Sequence, residues 1–126
     1  MKRIFLMLSL SVLAALSLST ASFADGDPVK GEKVFKKCKA CHTVDKGGKN
    51  LVGPNLFGVV GAKAAQKEGY KYSPAMMESG LTWDEATLDT YLTKPKALVK
   101  KTKMTFVGLK KEKQREDVIA YLKTLQ

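Results

Sequence analysis

The sequence predicts a small, single-domain, all-α fold in which short helices are joined by long loops. Helical periodicity is plain near the C-terminus, capped helix starts recur along the chain, and nothing alternates with period two long enough to demand a sheet. The first helix is expected in "DPVKGEKVFKKCKACH", with Asp27 as N-cap, Pro28 at the first helical position and the cysteines at its end. From Thr43 to Tyr72 glycine recurs without any sustained period, which reads as loop. "SPAMMESG" reads as a short helix capped by Ser73, begun by Pro74 and stopped by Gly80. "TWDEATLDTYLTKP" offers a capping box of Thr82 with Glu85, an apolar face of Leu88, Tyr91 and Leu92, and a stop at Pro95. In "KEKQREDVIAYLKTLQ" the apolar residues Val118, Tyr121, Leu122 and Leu125 fall at i, i+3, i+4 and i+7, the clearest helix of the chain.

Residues 1–24 stand apart from this domain. Lys2 and Arg3 precede an apolar run from Ile4 to Leu18, and small residues, Ser22 and Ala24, close the stretch. That is the pattern of a secretory signal peptide cleaved after Ala24. The run is about 15 residues, short of the roughly 20 that a membrane-spanning helix needs. The expected organisation is a leader over 1–24 and one exported domain over 25–126.

Of 22 basic residues, Lys2 and Arg3 leave with the leader, so 20 face 12 acidic ones, a formal charge of +8. Such a charge draws anionic partners and speeds their encounter. Nucleic acid fits poorly, because the lysines are scattered and Arg115 is the only arginine after the leader. An acidic protein surface or the anionic face of a membrane fits better.

"KKCKACHTV", residues 36–44, holds both cysteines and the only histidine. A structural zinc site needs four ligands, and the chain has three Cys and His residues in all. A redox dithiol belongs after a strand in a βαβ unit, and no sheet is evident. A disulfide across so small a loop constrains little of the unfolded chain. The spacing does suit covalent haem: Cys38 and Cys41 on one turn reach two vinyl groups along one edge of the ring, and His42 turns under it to the iron. With His42 spent, a second axial ligand must come from elsewhere, and methionine sulfur is the soft donor available. Met104, in the loop "KKTKMTFVG", is the expected ligand, with Met76 and Met77 as the alternatives.

These residues carry a resemblance that spans nearly all of Gly31 to Leu122. "CKACHTV", "GPNL", "GYKYS", "LTW", "YLTKPK", "TKMTFVGLKK" and "DVIAYLK" together resemble the class I cytochromes c of the soluble mitochondrial and bacterial type. The resemblance implies the cytochrome c fold, with helices and loops wrapped around one covalent haem. It implies a bond from His42 to the Pro54 carbonyl, hydrogen bonds from Tyr72 and Trp83 to a haem propionate, and a close contact of Gly31 and Phe35 with the last helix near Tyr121 and Leu122. The chain departs from the family pattern at Ala62, where an arginine is common, at Met76, where an asparagine is common, and at Lys100–Lys101, where Pro-Gly is usual.

The function this implies is a one-electron carrier and not an enzyme. Donor and acceptor are expected to be membrane redox complexes with acidic docking surfaces: a quinol-oxidising cytochrome bc-type complex, then a terminal oxidase or a photosynthetic reaction centre. Lys37, Lys49, Lys96, Lys103, Lys110 and Lys111 are expected around the exposed haem edge, steering those encounters. The competing expectation is an open-haem peroxidase or gas sensor, which holds if Met104 does not ligate iron. The expected protein is monomeric and periplasmic, with peripheral contact to the membrane.

Overall fold

Asp27 opens the first helix. In the computed structural model, which describes residues 25–126, its Oδ1 accepts from the backbone N–H groups of Val29 (2.9 Å) and Lys30 (3.2 Å), and Pro28 begins α1 (Pro28–Phe35). The leader expected over residues 1–24 lies outside the described residues. The helix is shorter than the sequence suggests. After Phe35 the backbone bonds tighten to i−3, with Lys37 N–H on Val34 O and Cys38 N–H on Phe35 O, and residues 36–41 continue as turns. The two cysteines therefore sit on a tight turn beyond the helix.

Residues 43–72 form no helix, as expected, but they are not slack. Asn55 is 3 % exposed and ties the loop together. Its Nδ2 donates to Thr43 Oγ1 (2.8 Å) and to the Asp45 carbonyl (2.9 Å), while its Oδ1 accepts from Phe57 N–H.

Ser73 caps α2 (Pro74–Glu78) by accepting from Met76 N–H, and Gly80, at φ +63°, turns the chain away. The start of α3 (Glu85–Thr93) corrects the expected capping box. Asp84, not Thr82, is the N-cap, its Oδ1 accepting from Thr87 N–H at 2.7 Å. Thr82 is held in an extended backbone: it pairs with Lys63 in an isolated antiparallel bridge, and Trp83 exchanges hydrogen bonds with Ala62 and Gly61. A helix cannot begin until that pairing ends. Leu88, Tyr91 and Leu92 are buried on one face, as their spacing implies.

Pro95 follows the end of α3, but it also begins a one-turn helix, α4 (Pro95–Leu98), which the sequence reading did not separate. Lys94 is extended between them (φ −161°, ψ 93°), and proline at N1 starts the new turn. α5 (Glu112–Lys123) packs across α1 and α3. Gly31 sits at the first crossing: a Cβ there would lie 1.9 Å from the Asp117 carbonyl oxygen, so only glycine lets the backbones approach. Phe35 packs on Tyr121 with ring centroids 5.6 Å apart. Val118, Ile119 and Leu122 join Phe35, Leu88, Leu92 and Leu109 in one buried core. Apart from the single bridge, the described residues contain no strand pairing, and the architecture is the all-α one expected.

Arg115 fastens the segment between α4 and α5. It is 9 % exposed; its Nε donates to Asp89 Oδ1 (2.7 Å) and its Nη1 to the carbonyls of Leu109 (2.9 Å) and Lys110 (3.1 Å). Leu109 N–H also donates to Leu92 O (2.7 Å). Residues 99–108, with Met104 at their middle, are thus a loop held at both ends by the helices.

Candidate functional site

The loops and helices enclose a cavity of about 680 Å³, within the usual range for a cofactor site. Cys38, Cys41, His42 and Met104 all line it, although they lie as far as 66 residues apart in sequence. The turn after α1 brings the first three together: Cys41 N–H and His42 N–H both donate to Cys38 O at 3.0 Å.

His42 is buried, and its ring is fixed from two directions. Nδ1 donates to the Pro54 carbonyl oxygen at 2.7 Å. Gly53 lies against the ring: a Cβ there would stand 2.3 Å from His42 Cε1. Burial pushes the His42 pKa down, only partly opposed by the bond to Pro54. At neutral pH the imidazole is therefore uncharged, its Nδ1 proton is committed, and Nε2 keeps a lone pair for a metal. Burial, with Cys41 beside it, pushes the Cys38 thiol up against the opposing pull of Lys37, so an unmodified Cys38 stays protonated.

Met104 stands in a closed hydrogen-bonded ring. Its N–H donates to Thr102 Oγ1 (3.3 Å), that hydroxyl lies 3.1 Å from Tyr91 Oη, and Tyr91 O–H donates to Met104 Sδ (3.4 Å). One sulfur lone pair is thereby engaged and the other is available. Met76 also lines the cavity, but its sulfur faces the Ser79 hydroxyl at 4.0 Å and it packs into the core. Met77 is 60 % exposed and does not line the cavity, which removes it from the alternatives.

Tyr72 and Trp83 are both on the cavity wall. Tyr72 Oη accepts from Lys67 N–H (3.0 Å), which leaves its own proton to donate, and burial pushes its pKa up against that bond. Trp83 is 8 % exposed, packed on Tyr91 with centroids 4.9 Å apart. Ala62 adds only a methyl group to this wall. Two thiol sulfurs, one imidazole nitrogen and one thioether thus open into a single largely apolar space, a donor set that fits a covalently held haem.

Of the lysines expected at the rim, Lys37 and Lys103 line the cavity; Lys49, Lys96, Lys110 and Lys111 are exposed. None of the six forms an ion pair among the described residues; the ion pairs there join acids of α3, α5 and Asp27 to Lys30, Lys113, Arg115 and Lys123. Four residues of the site have roles the sequence does not show: Gly53 and Asn55 stand there only within "GPNL", Thr102 only within "TKMTFVGLKK", and Tyr91 only on an apolar helix face. Periodicity reports that Tyr91 faces inward; it carries no sign of what its hydroxyl meets.

A family profile for cytochrome c matches residues 28–126. The chain is 60 % identical over 111 residues to cytochrome c2 of Rhodomicrobium vannielii, covering 88 % of this chain and 89 % of that one. It is 50 % identical over 131 residues to cytochrome c2 of Rhodospirillum rubrum, covering 94 % and 96 %. Among solved structures it resembles cytochrome cH from Methylobacterium extorquens, with a TM-score of 0.75 and 53 % identity over 79 % of this chain and 99 % of that one. With Cys38-x-x-Cys41-His42 standing where such proteins attach covalent haem c, the chain belongs to the cytochrome c family of electron carriers.

Proposed function

We propose that the mature protein, residues 25–126, is a periplasmic carrier that takes single electrons from a cytochrome bc-type complex and delivers them to a terminal oxidase or a photosynthetic reaction centre. In this reading Cys38 and Cys41 would hold haem c by thioether bonds, His42 Nε2 and Met104 Sδ would be the donors to its iron, and Tyr72 and Trp83 would offer hydrogens to its carboxylates. Bound there, haem supplies a one-electron ferrous–ferric couple. The chain's work is to keep the coordination closed and the surroundings still. Pro54 and Gly53 hold the imidazole in one orientation, and Tyr91 with Thr102 holds the sulfur. A site whose donors hardly move costs little to reorganise when the charge changes, and with both His42 and Met104 committed to the iron no place would remain for substrate or oxygen.

The single observation that carries this reading is the ring joining Met104 and Tyr91 in the same cavity as His42. The visible spectrum of the ferric holoprotein tests it. A sulfur-to-iron charge-transfer band that vanishes in Met104→Ala is the expected result. A high-spin ferric spectrum in the wild type, or ready uptake of carbon monoxide by the ferrous form, would overturn it.

A further inference from the structure

The wall that carries Tyr72 and Trp83 is rich in hydrogen-bond donors. Tyr72 has an unspent proton, and the Trp83 indole N–H has no partner among the described residues, although no buried side-chain N or O there lacks one. The indole N–H is therefore not sealed in the core but open to the cavity. Gln66 uses one amide hydrogen on the Ala64 carbonyl (3.2 Å) and keeps the other. Glu68 is the only acid on the cavity wall, and it is exposed. Unspent donors gathered in a cavity complement a carboxylate, and haem carries two of them, on the half of the ring away from its vinyl groups.

A carboxylate brought in from water also needs a countercharge. The cations on the wall are Lys37, Lys63, Lys67 and Lys103. Lys37 and Lys63 are exposed. Lys103 is exposed and already committed: its Nζ donates to the Lys71 carbonyl and lies 4.3 Å from the centre of the Tyr70 ring. Lys67 differs from all three. It is half-buried, its backbone N–H is bonded to the Tyr72 hydroxyl, and its Nζ is moored on the Phe57 carbonyl at 2.9 Å, leaving two N–H donors unspent.

We propose that Lys67 is the positioning cation of this site: moored on Phe57 and tied to Tyr72, it supplies the positive charge for the haem carboxylate that Tyr72 faces. The proposal rests on the reading of Tyr72 and Trp83 given above. Its neighbours on the wall do not replace it: Ala62 contributes no charge, and Lys63 is exposed. The other charged and titratable groups that face the space are Lys37, Lys63, Glu68, Tyr70, Tyr72 and Lys103, with Tyr91, Cys38, Cys41 and His42 in the ligand set. A cation held there keeps the carboxylate ionised to lower pH and disfavours the extra positive charge of ferric iron.

The test is the reduction potential of the holoprotein as a function of pH, measured for the wild type, Lys67→Gln, Lys67→Arg, Lys63→Gln and Tyr72→Phe. In Lys67→Gln the pH at which the potential begins to depend on pH moves up by about 1 unit or more, and the potential above that point falls. Lys67→Arg restores the wild-type curve, Lys63→Gln leaves the titration in place, and the visible spectrum shows that each variant keeps its ligands. If Tyr72→Phe moves the titration while Lys67→Gln behaves like Lys63→Gln, the cation assignment is wrong and the Tyr72 reading stands. If neither Tyr72→Phe nor Lys67→Gln moves it, both fail.

Discussion

Tyr91 O–H donates to Met104 Sδ at 3.4 Å, and the same two residues are joined again through Thr102. The sulfur has no hydrogen to give, so Tyr91 spends its one proton there, and the Thr102 hydroxyl, which accepts from Met104 N–H, is left to donate to Tyr91 Oη. A hydrogen bond on the sulfur draws electron density from the lone pairs. As an iron ligand such a sulfur favours the ferrous state, because ferric iron asks more of its donor. Tyr91→Phe is expected to keep the Met104 charge-transfer band and lower the reduction potential. A hydrogen bond worth about 1 kcal/mol in one oxidation state alone sets a limit of roughly 40 mV for one electron. Voltammetry of the two proteins checks this; an unchanged or raised potential contradicts it.

Gly53 touches the imidazole so closely that a Cβ would stand 2.3 Å from Cε1 and 2.7 Å from both ring nitrogens. Both neighbours of such a Cβ are fixed. The ring is tied to Pro54, and the Gly53 N–H is tied to the Cys41 carbonyl at 2.8 Å. Gly53→Ala must therefore push the ring or open the loop. The expected cost is about 1–3 kcal/mol, read as a lower melting temperature of the holoprotein, with a disturbed axial spectrum as its local sign. Gly58→Ala serves as the comparison, since nothing lies within 4 Å of a Cβ there; its cost comes from the positive φ of 72° alone.

The helices of this chain were legible because their signals are local. Asp27 and Pro28, or Ser73 and Pro74, announce a helix start within a few residues, and the period of Val118 to Leu125 reports a buried face. Thr82 shows where local signals fail. Its capping box with Glu85 is a good pattern, yet its backbone is claimed by Lys63, 19 residues earlier, and Asp84 takes over the cap. The donors proposed for haem stand out in the sequence for a different reason: Cys38, Cys41 and His42 form a fixed spacing, and with a single histidine in the chain methionine is left for the other side. The residues that orient those ligands were not legible. Gly53, Tyr91 and Thr102 act through contacts that only the closed loops create, and no spacing in the sequence encodes them.

Asp117 ties the N-terminal end of the domain to α5. Its Oδ1 accepts from Asp27 N–H at 2.7 Å and from Lys113 Nζ at 3.1 Å, and its side chain is 6 % exposed. Desolvation raises its pKa, but the bonds from Asp27 and Lys113, with the charges of Lys113 and Lys30, outweigh it and hold the carboxyl below its ordinary value of 3.8. A folded-state value below the unfolded one contributes stability that is complete above the ordinary value and is lost as pH falls through the depressed one. Asp117→Asn keeps an oxygen for Asp27 N–H but gives up the charge. The variant is expected to lose about 1 kcal/mol at pH 7. The gap from wild type should close as pH falls below 3.8. Thermal melts of the holoproteins at neutral and acid pH measure the gap; one that widens in acid contradicts the assignment.

The lysines near the cavity are free to act at a distance because nothing nearby neutralises them. Lys37 and Lys103 line the cavity, Lys49 is exposed, and none has an ion-pair partner among the described residues. Lys30, on α1, is different: it lies 3.8 Å from Asp27 Oδ2. Unpaired charges around the cavity speed the approach of an acidic partner and are screened by salt. The screening length shrinks from about 30 Å at 0.01 M to about 8 Å at 0.15 M ionic strength. Electron transfer to a purified membrane oxidase or reaction centre is therefore expected to slow by about tenfold or more across that range. Lys37→Glu lowers the low-salt association rate and flattens its salt dependence, with little change in dissociation. Lys30→Gln, which removes a cation already paired, leaves both near wild type. Stopped-flow rates at several salt concentrations separate these outcomes, and rates indifferent to salt, or an equal effect of the two substitutions, would count against docking through the face that carries Lys37 and Lys103.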